Sequence, residues 1–474
     1  MRLLTCACLW ANLACLVSHA LPEEQPIEVD VAIVGGGATG AYAAVRLRED
    51  YKKSVLVIEK TKRLGGHVHA YYPTKGHPVN YGVQAYLNRE TTKAFFKRFN
   101  LNLIEPDLGS YIDLILLTKN VDFNTGRSVF VHYGPVDIVG VPVDLIRYLD
   151  FAIKYQPFFE NGYFHHGDVP EDLLLPFGKF LAKYDLQGAL GILRNLLWLS
   201  DAVNTPTWTV MAVVGAPQIA AFGLGLTGPS FTWPETRSSE TLFDRVLNLL
   251  SRNVLLESTV IASKRTDRGV TLTVQTPSGR KTVKAKKLLI AATPSPENVG
   301  PWDLSNTEKE LFSKFSWETL FVGVVNNTGL HPSVTGIRNA PENPADFFLP
   351  QGDFTDAYTR AGSDEMPDLW TARVIGRTGL TDNQARNLIL QPFKKMKEAG
   401  TFKIAAPSLV EFASHGSTVP KVSAADLKAG FYNRLYALQG QRSTFWTGLT
   451  WAPDYTPILW DFTEKLFPEI LKGL

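Results

Sequence analysis

Beyond residue 15 this chain has no cysteine: all 3 of its cysteines, Cys6, Cys8 and Cys15, crowd into the N-terminus of a 474-residue sequence. The remainder can therefore form no disulfide, no cysteine nucleophile, no thiolate metal site and no cysteinyl link to a cofactor. Excess charge is missing too. Lys and Arg number 48 against 46 Asp and Glu, a formal net charge of +2, and no block of one sign stands out. That balance points to neither nucleic acid nor an acidic partner. HExxH, GxSxG and Walker patterns are absent, which removes the zincin, serine-hydrolase and P-loop classes and leaves no expected metal site. After the N-terminus, no run is apolar and long enough to span a bilayer, so no stable transmembrane helix is expected in the mature chain.

The N-terminus itself reads as a targeting segment. Arg2 precedes the apolar stretch Leu3 to Val17, and Ser18-His19-Ala20 places small residues before Leu21. This predicts a signal peptide over residues 1–20 and a secretory route, ending outside the cell or in a secretory or vacuolar compartment. The competing reading is a retained anchor, although the stretch is shorter than the ~20 residues that cross a bilayer comfortably. On that route the sequon Asn326-Asn327-Thr328 makes Asn326 a glycosylation candidate.

What is present in abundance is the pattern over residues 29 to 66. Val29 to Val34 is rich in β-branched residues, Gly35-Gly36-Gly37-Ala38-Thr39-Gly40 follows, then a helical stretch, Ser54 to Ile58 and Glu59. Strand, glycine turn, helix, strand and acid make a βαβ dinucleotide cradle. Gly35 allows the turn, Gly37 lets backbone approach a pyrophosphate, and Gly40 lets the helix pack on the sheet. Glu59 stands about 20 residues on, where an acceptor binds both ribose hydroxyls. The string Gly223 to Gly228 matches the same glycine spacing but runs into Pro229 and Pro234, so it reads as a loop.

Past Glu59 come Arg63, Gly65-Gly66 and His67. Paired glycines here let a second stretch of backbone reach the pyrophosphate, with Arg63 supplying charge. Together with Asn80 to Tyr86, this spacing resembles the flavin-containing amine oxidase superfamily, which also holds phytoene-desaturase-like enzymes and polyenoic fatty acid isomerases. His67, where many members have Arg, is closer to the isomerases and to fungal flavoproteins resembling β-cyclopiazonate dehydrogenase. The resemblance implies FAD, held without a covalent bond, at Gly35, Gly37, Gly40, Glu59, Arg63, Gly65, Gly66, His67 and Gly82. It adds Val260, whose backbone would meet adenine, and Gly448, in the turn before the last helix. Relatives often have Gly-Glu at that turn; here it is Gly448-Leu449. His67 remains open as a flavin-side donor, a covalent attachment point or a polar loop residue. Gln84, Tyr86, Trp446 and Trp451 join it as flavin-face candidates, and for both tryptophans packing is an equal alternative.

The implied fold is a Rossmann-like α/β FAD-binding domain assembled from residues 28–90, 235–300 and 428–474. An inserted α+β substrate domain of mixed sheet and helix would take 91–234 and 301–427. Amphipathic stretches such as Thr92 to Phe99, Asp144 to Lys154 and Leu190 to Leu199 fall in the insert. The returning half shows a helix from Glu240 to Arg252, strands Val270 to Gln275 and Thr282 to Ala285 around a turn at Pro277-Ser278-Gly279-Arg280, and a separate buried strand from Lys287. Strands are also expected at Phe321 to Asn326 and Trp370 to Ile375, with helices at Asp382 to Lys397 and Pro457 to Leu471. Adjacent His165-His166 reads as a solvated loop, and Trp198, Trp208, Phe222, Phe231 and Trp233 as cavity lining or core.

Three functional readings follow from the resemblance. The first is an FAD-dependent oxidoreductase that takes hydride from a bulky apolar small molecule in secondary-metabolite biosynthesis, with oxidative ring closure as a further step and O2 or another electron acceptor. The second is a redox-neutral flavin isomerase of polyenes or fatty acids. The third is a non-catalytic binding protein of related architecture, like the GDP-dissociation inhibitors.

Overall fold

The computed structural model describes residues 25–74, 77–105, 118–133, 143–163, 167–221, 230–361, 366 and 368–474. The leader with its cysteines, His165-His166, Phe222 and the glycine string Gly223 to Gly228 lie outside the described residues. Among the described residues, no helix is long and apolar enough to cross a membrane.

The chain enters through β1 (Ile27–Val34) and β2 (Val55–Ile58), joined by the helix Ala38–Val45, which widens into a π-helical turn over Arg46–Asp50. Short pieces follow: β3 (Ala70–Tyr71) pairs with β4 (Val79–Asn80), while β5 (Tyr86–Leu87) and β6 (Leu103–Ile104) flank β8 (Phe231–Pro234). Between them lies β7 (Thr118–Val121), which pairs far along the chain.

The first large sheet has 7 strands. To β1 and β2 it adds β9 (Val254–Leu255), β10 (Thr259–Thr266), β11 (Gly269–Thr276), β12 (Gly279–Ile290) and β18 (Thr444–Trp446) in the order β10-β11-β12-β1-β2-β9, with β18 beside β12. β18, β12, β1, β2 and β9 run parallel. Val31, Ile33 and Leu289 in its centre are fully buried, as a parallel strand covered on both faces must be. Small residues explain how closely the first helix sits: Ala41, Ala43 and Ala44 are inaccessible, and Tyr42 stacks at 5.0 Å on Trp460 of the last helix, Thr456–Leu471. The Trp460 indole N–H donates to the Ala38 carbonyl at 3.0 Å, tying the two helices together.

One sequence expectation needs correction here. Thr282 to Ala285 and the run from Lys287 are not two strands but one, the 12-residue β12. Its first half alternates exposed Lys284 and Lys286 with buried Val283 and Ala285, whereas Leu288, Leu289 and Ile290 are wholly buried between β1 and β18. Polarity changes midway; the backbone does not break.

The second large sheet has 6 strands in the order β17-β13-β16-β15-β14-β7. Its members are β13 (Ser316–Asn326), β14 (Gly336–Asn339), β15 (Phe354–Arg360), β16 (Leu369–Arg377) and β17 (Ser408–Lys421), with β7 added at the far edge. One face packs under the helix Asp382–Glu398 through Val374, Trp370, Ile389 and Phe393. From the opposite face Val322 and Val324 meet Val79 and Tyr81 of the first part of the chain. A larger apolar core runs from the first sheet into the insert, taking in Leu145, Phe177, Leu193 and Trp208.

The expected helix at Leu190 to Leu199 is also shorter, covering Leu190–Leu193. The Asn195 amide donates back to the Ile192 carbonyl at 2.9 Å, a local bond that competes with a further helical turn. Asn326 ends β13 half-buried, and the hydroxyl of fully buried Thr328 bonds to Asp368.

Candidate functional site

The carboxyl ends of the parallel strands converge, as they must in an open α/β sheet with a ligand crevice. The Gly35 N–H donates to the Ile58 carbonyl at 2.9 Å, Ala291 to Val34 at 2.8 Å, and Thr447 to Ile290 at 2.9 Å, so the loops after β1, β2, β12 and β18 meet at one place. Gly35, at φ +99°, turns the chain where a side chain would be strained. A methyl on Gly40 would stand 1.9 Å from the Gly35 carbonyl oxygen. On Gly37 it would meet only the Gly66 Cα, at 3.8 Å, which leaves an open slot beside a helix N-terminus that no side chain caps.

The second glycine pair closes that slot. Gly65 N–H donates to the Gly36 carbonyl at 2.9 Å, and a methyl on Gly66 would come within 3.0 Å of the Gly37 Cα. Backbone from both loops therefore lines the same space, with free first-turn N–H groups aimed at it. Glu59 is nearly inaccessible; its carboxylate accepts from Gly36 N–H at 2.6 Å and Thr61 N–H at 2.8 Å. The Ser258 N–H donates to the Glu59 carbonyl at 2.9 Å and carries the chain past this acid to buried Val260. Gly448 stands at φ +98°, and a methyl there would lie 3.4 Å from the Ala291 carbonyl oxygen. A cradle open at Gly37, a buried ribose acceptor and two facing glycine loops fit a dinucleotide diphosphate.

Arg63 holds its own loop. Its guanidinium donates to the carbonyls of Leu64 and Gly66, at 3.2 and 3.1 Å, and to Nδ1 of His69 at 2.8 Å. Gly82 completes the underside: a methyl there would lie 2.1 Å from the His67 carbonyl oxygen, and Val83 N–H donates to that same oxygen at 3.0 Å. The Asn80 to Tyr86 block thus runs alongside His67 to Tyr71.

Three histidines gather at this point. The rings of His67 and His415 stack at 4.3 Å with 2° between their planes, and His69 lies 5.4 Å from His415. His67 Nε2 donates to the His415 carbonyl at 3.0 Å, which fixes its tautomer and leaves Nδ1 as an acceptor. His415 arrives from β17 through a register shift: Ser414 faces Phe321 and Gly416 faces Leu320, so His415 is the extra residue of a bulge. Burial holds His67 down at about 4, burial and Arg63 hold His69 down at about 3, and His415 is pushed well below the usual range by burial and its neighbours. All three are neutral near pH 7 and can offer or accept a hydrogen bond without carrying charge. Among the described residues no set of His, Cys, Asp and Glu converges on a metal position.

The other flavin-face candidates sit differently. Gln84 is exposed, its amide donating to the Asn80 carbonyl at 3.0 Å. Tyr86 is buried between Phe96, at 5.0 Å, and Trp460, at 6.3 Å. Trp446 and Trp451 are fully buried and stack on each other at 6.1 Å; Phe312 covers the first and Tyr436 the second. Their faces are occupied by protein.

His69, His415 and Asp454 were not singled out in the sequence. Asp454 lies in the loop between Gly448 and the last helix, and burial pushes its carboxyl up to about 6. Proximity of His67 and His69 at alternate positions offered a signal for one of them; nothing local marks His415.

Comparison with known proteins agrees with this geometry. An NAD(P)-binding Rossmann-like domain model matches residues 33–99. The chain is 31% identical over 456 residues to β-cyclopiazonate dehydrogenase of Aspergillus oryzae, covering 96% of this chain and 95% of that protein. It is 33% identical over 469 residues to the FAD-dependent oxidoreductase oblC of Cochliobolus heterostrophus, covering 95% and 93%. Among solved structures, a CLA-producing fatty acid isomerase from P. acnes superposes with a TM-score of 0.73 at 20% identity, over 93% of this chain and 98% of that one. Putrescine oxidase bound to putrescine gives 0.63 at 14% identity, over 94% and 100%. The two structures share the fold, and the two fungal relatives, matched over nearly their whole length, fix the assignment: the chain belongs to the family of fungal FAD-dependent oxidoreductases that includes β-cyclopiazonate dehydrogenase.

Proposed function

We propose that the chain is an FAD-dependent oxidoreductase that removes hydride from an activated C–H or C–N bond of a bulky apolar small molecule, in secondary-metabolite biosynthesis and with oxidative ring closure as a product-forming step. The observation that carries this reading is the pair of glycine loops locked face to face beside buried Glu59, with an imidazole delivered onto that loop from the second sheet. Bound FAD supplies two-electron acceptor chemistry, and O2 or another acceptor takes the electrons onward.

The chain's own groups orient and shield. Glu59 and the first-turn N–H groups hold the dinucleotide by its ribose and diphosphate. His67, neutral and oriented by the His415 carbonyl, presents Nδ1 as an acceptor beside the loop. The continuous apolar core of the insert excludes water from the neighbouring space. No cysteine follows residue 15, so a thioether link to FAD is not available.

Residues 28–90, 235–300 and 428–474 serve as the cofactor domain in this reading, and 91–234 with 301–427 as the substrate domain. The leader directs the protein into the secretory route, where Asn326 is open to glycosylation before folding; the mature N-terminus at Leu21 and a glycan mass on that peptide are the checks. The functional test is purification with FAD. Yellow protein that consumes O2 or an added acceptor at each turnover supports the oxidoreductase; turnover without acceptor consumption assigns an isomerase, and colourless protein after FAD addition removes both. Colour released by acid precipitation supports a non-covalent cofactor, and colour retained in the pellet assigns a side-chain attachment.

A further inference from the structure

We propose that Asp454 is the proton acceptor of the oxidation, the carboxylate that takes the second of the two hydrogens the substrate loses. The inference rests on the reading above: a neutral molecule that gives up hydride and emerges neutral must also give up a proton, and a base must receive it.

The loop that carries Asp454 is fastened on two sides. It begins at Gly448, beside the Ala291 carbonyl, and the Trp451 N–H turns it by donating to the Gly448 carbonyl at 2.9 Å. It ends in the helix Thr456–Leu471, whose Trp460 is tied to Ala38 at the head of the cradle helix. The other side reaches the insert. The Tyr455 hydroxyl donates to the Val213 carbonyl at 2.9 Å, while the Tyr436 hydroxyl donates to the Trp451 carbonyl and accepts from the Tyr163 N–H at 2.6 Å. Asp454 therefore stands where the cofactor cradle and the insert meet. Asp454, Tyr455 and Thr456 keep accessible surface there, whereas Trp451 to Pro453 before them and Pro457 to Trp460 after them are buried. This short stretch is the part of the loop that a small molecule can touch.

The protein leaves the carboxylate unsatisfied. Among the described residues Asp454 makes no hydrogen bond and no ion pair, and burial alone moves its carboxyl, up to about 6. The titratable groups around it are phenols. Tyr163 comes from the insert, backed by Tyr432 at 4.5 Å and by Tyr436, and Tyr455 lies next to Asp454 in the chain; burial pushes all four above their ordinary range and keeps them neutral. The nearest charge is Arg373 of β16, which acts on Tyr455 and is itself paired with Asp356. A crowded carboxylate without a donor is costly until a ligand group meets it. His67 and His69, held at about 4 and about 3, keep a proton more weakly than Asp454 does. A carboxyl near 6 is ionised at pH 7 and still able to hold what it takes.

The step balances with the FAD of the proposed reaction as oxidant. The substrate C–H bond breaks and its electron pair leaves with that hydrogen to the FAD. The proton of the neighbouring N–H or O–H passes to the Asp454 carboxylate, and the electron pair it leaves behind forms the new C=N or C=O bond, or the ring bond where an internal nucleophile closes on the carbon.

The test mixes FAD-loaded full-length protein, without oxygen, with an extract of the producing organism in a stopped-flow spectrometer and reads the rate of flavin bleaching from pH 5 to 8. In wild type the rate should rise with pH and level off above a midpoint near 6, where the carboxylate is ionised. Asp454→Asn should bind FAD as wild type does and bleach at least about 100-fold more slowly at pH 7, without that pH limb. Asp454→Glu should recover part of the rate together with the limb. Asparagine removes an unpaired charge, so its Tm at pH 7 should equal or exceed that of wild type, which a structural role for Asp454 would reverse. Wild-type bleaching that does not change between pH 5 and 7, or an equal rate in Asp454→Asn, overturns the inference and leaves the oxidoreductase reading in place. Flavin that keeps its colour in wild type at every pH overturns both.

Discussion

His67 and His415, 348 residues apart in the chain, lie ring on ring with 2° between their planes, and the carbonyl of one receives the Nε2 proton of the other. One belongs to the second glycine loop and the other to a bulge in the edge strand β17, so this contact couples the two large sheets at the candidate site. Removing the His415 ring should leave the fold, the FAD content and the Nε2 bond to the backbone carbonyl intact, and take away the stacked face that holds the His67 ring in plane. His415→Ala is expected to change the visible flavin spectrum and to lower kcat more than it raises KM. An unchanged spectrum with unchanged kcat would reduce the pair to packing.

The same pair sets a pH dependence. His67 is held at about 4 in the folded chain against about 6.5 when unfolded, so between those values the unfolded state binds more protons. The stability it contributes is present above pH 6.5 and is lost as pH falls toward 4, by up to roughly 1.4 kcal/mol per pH unit. Asp454, raised to about 6, acts with the opposite sign, favouring the folded chain as pH falls below that value. Comparing wild type with His67→Asn isolates the histidine: urea midpoints should converge as pH drops from 7 to 4. Parallel curves would show that His67 is not buried neutral.

Gly37 and Gly40 separate folding from cofactor binding. Gly40→Ala drives a methyl to 1.9 Å from the Gly35 carbonyl and should cost several kcal/mol, about the range of overpacking in a core, together with the flavin. Gly37→Ala meets nothing closer than 3.8 Å, so the protein should fold with a near-normal Tm in the absence of FAD. Its methyl would stand in the diphosphate slot, and FAD affinity should fall at least about tenfold. Equal FAD affinity in wild type and Gly37→Ala would place the diphosphate elsewhere.

Arg265 pins the far side of the first sheet. Fully buried, it donates to both Glu308 oxygens, at 2.8 and 2.9 Å, and to Asp303 at 2.8 Å, while Arg442 reaches Asp303 from just before β18. Arg265→Ala leaves buried Glu308 with the Ser305 N–H and the more distant Arg442 guanidinium, 3.7 Å away, and strips its closest countercharge. A loss of about 3–5 kcal/mol is expected in urea unfolding of the holoprotein.

Much of this was legible in the sequence, for physical reasons. The cradle is local: β1, Gly35 to Gly40, β2 and Glu59 fall within one βαβ unit, and each residue type there answers to one steric or hydrogen-bonding demand. The single strand β12 was not legible, because its lysines give one half the alternation of a hairpin and its leucines give the other the continuity of a buried strand. His415 could not be read at all, since a bulge, rather than a periodicity, aims its ring. That Arg338 and Arg373 share one row depends on register between β14, β15 and β16, which sequence spacing does not carry. Trp446 and Trp451 were readable as large aromatics, but only packing shows that Phe312 and Tyr436 cover them.

The most direct measurement mixes the FAD-loaded protein, without oxygen, with an extract of the producing organism. Visible absorbance of the flavin and the masses of extract components are followed together. An FAD-dependent oxidoreductase will bleach while one small molecule loses the mass of two hydrogens, in proportion to the protein added. Persistent colour alongside a product of unchanged mass would contradict net oxidation.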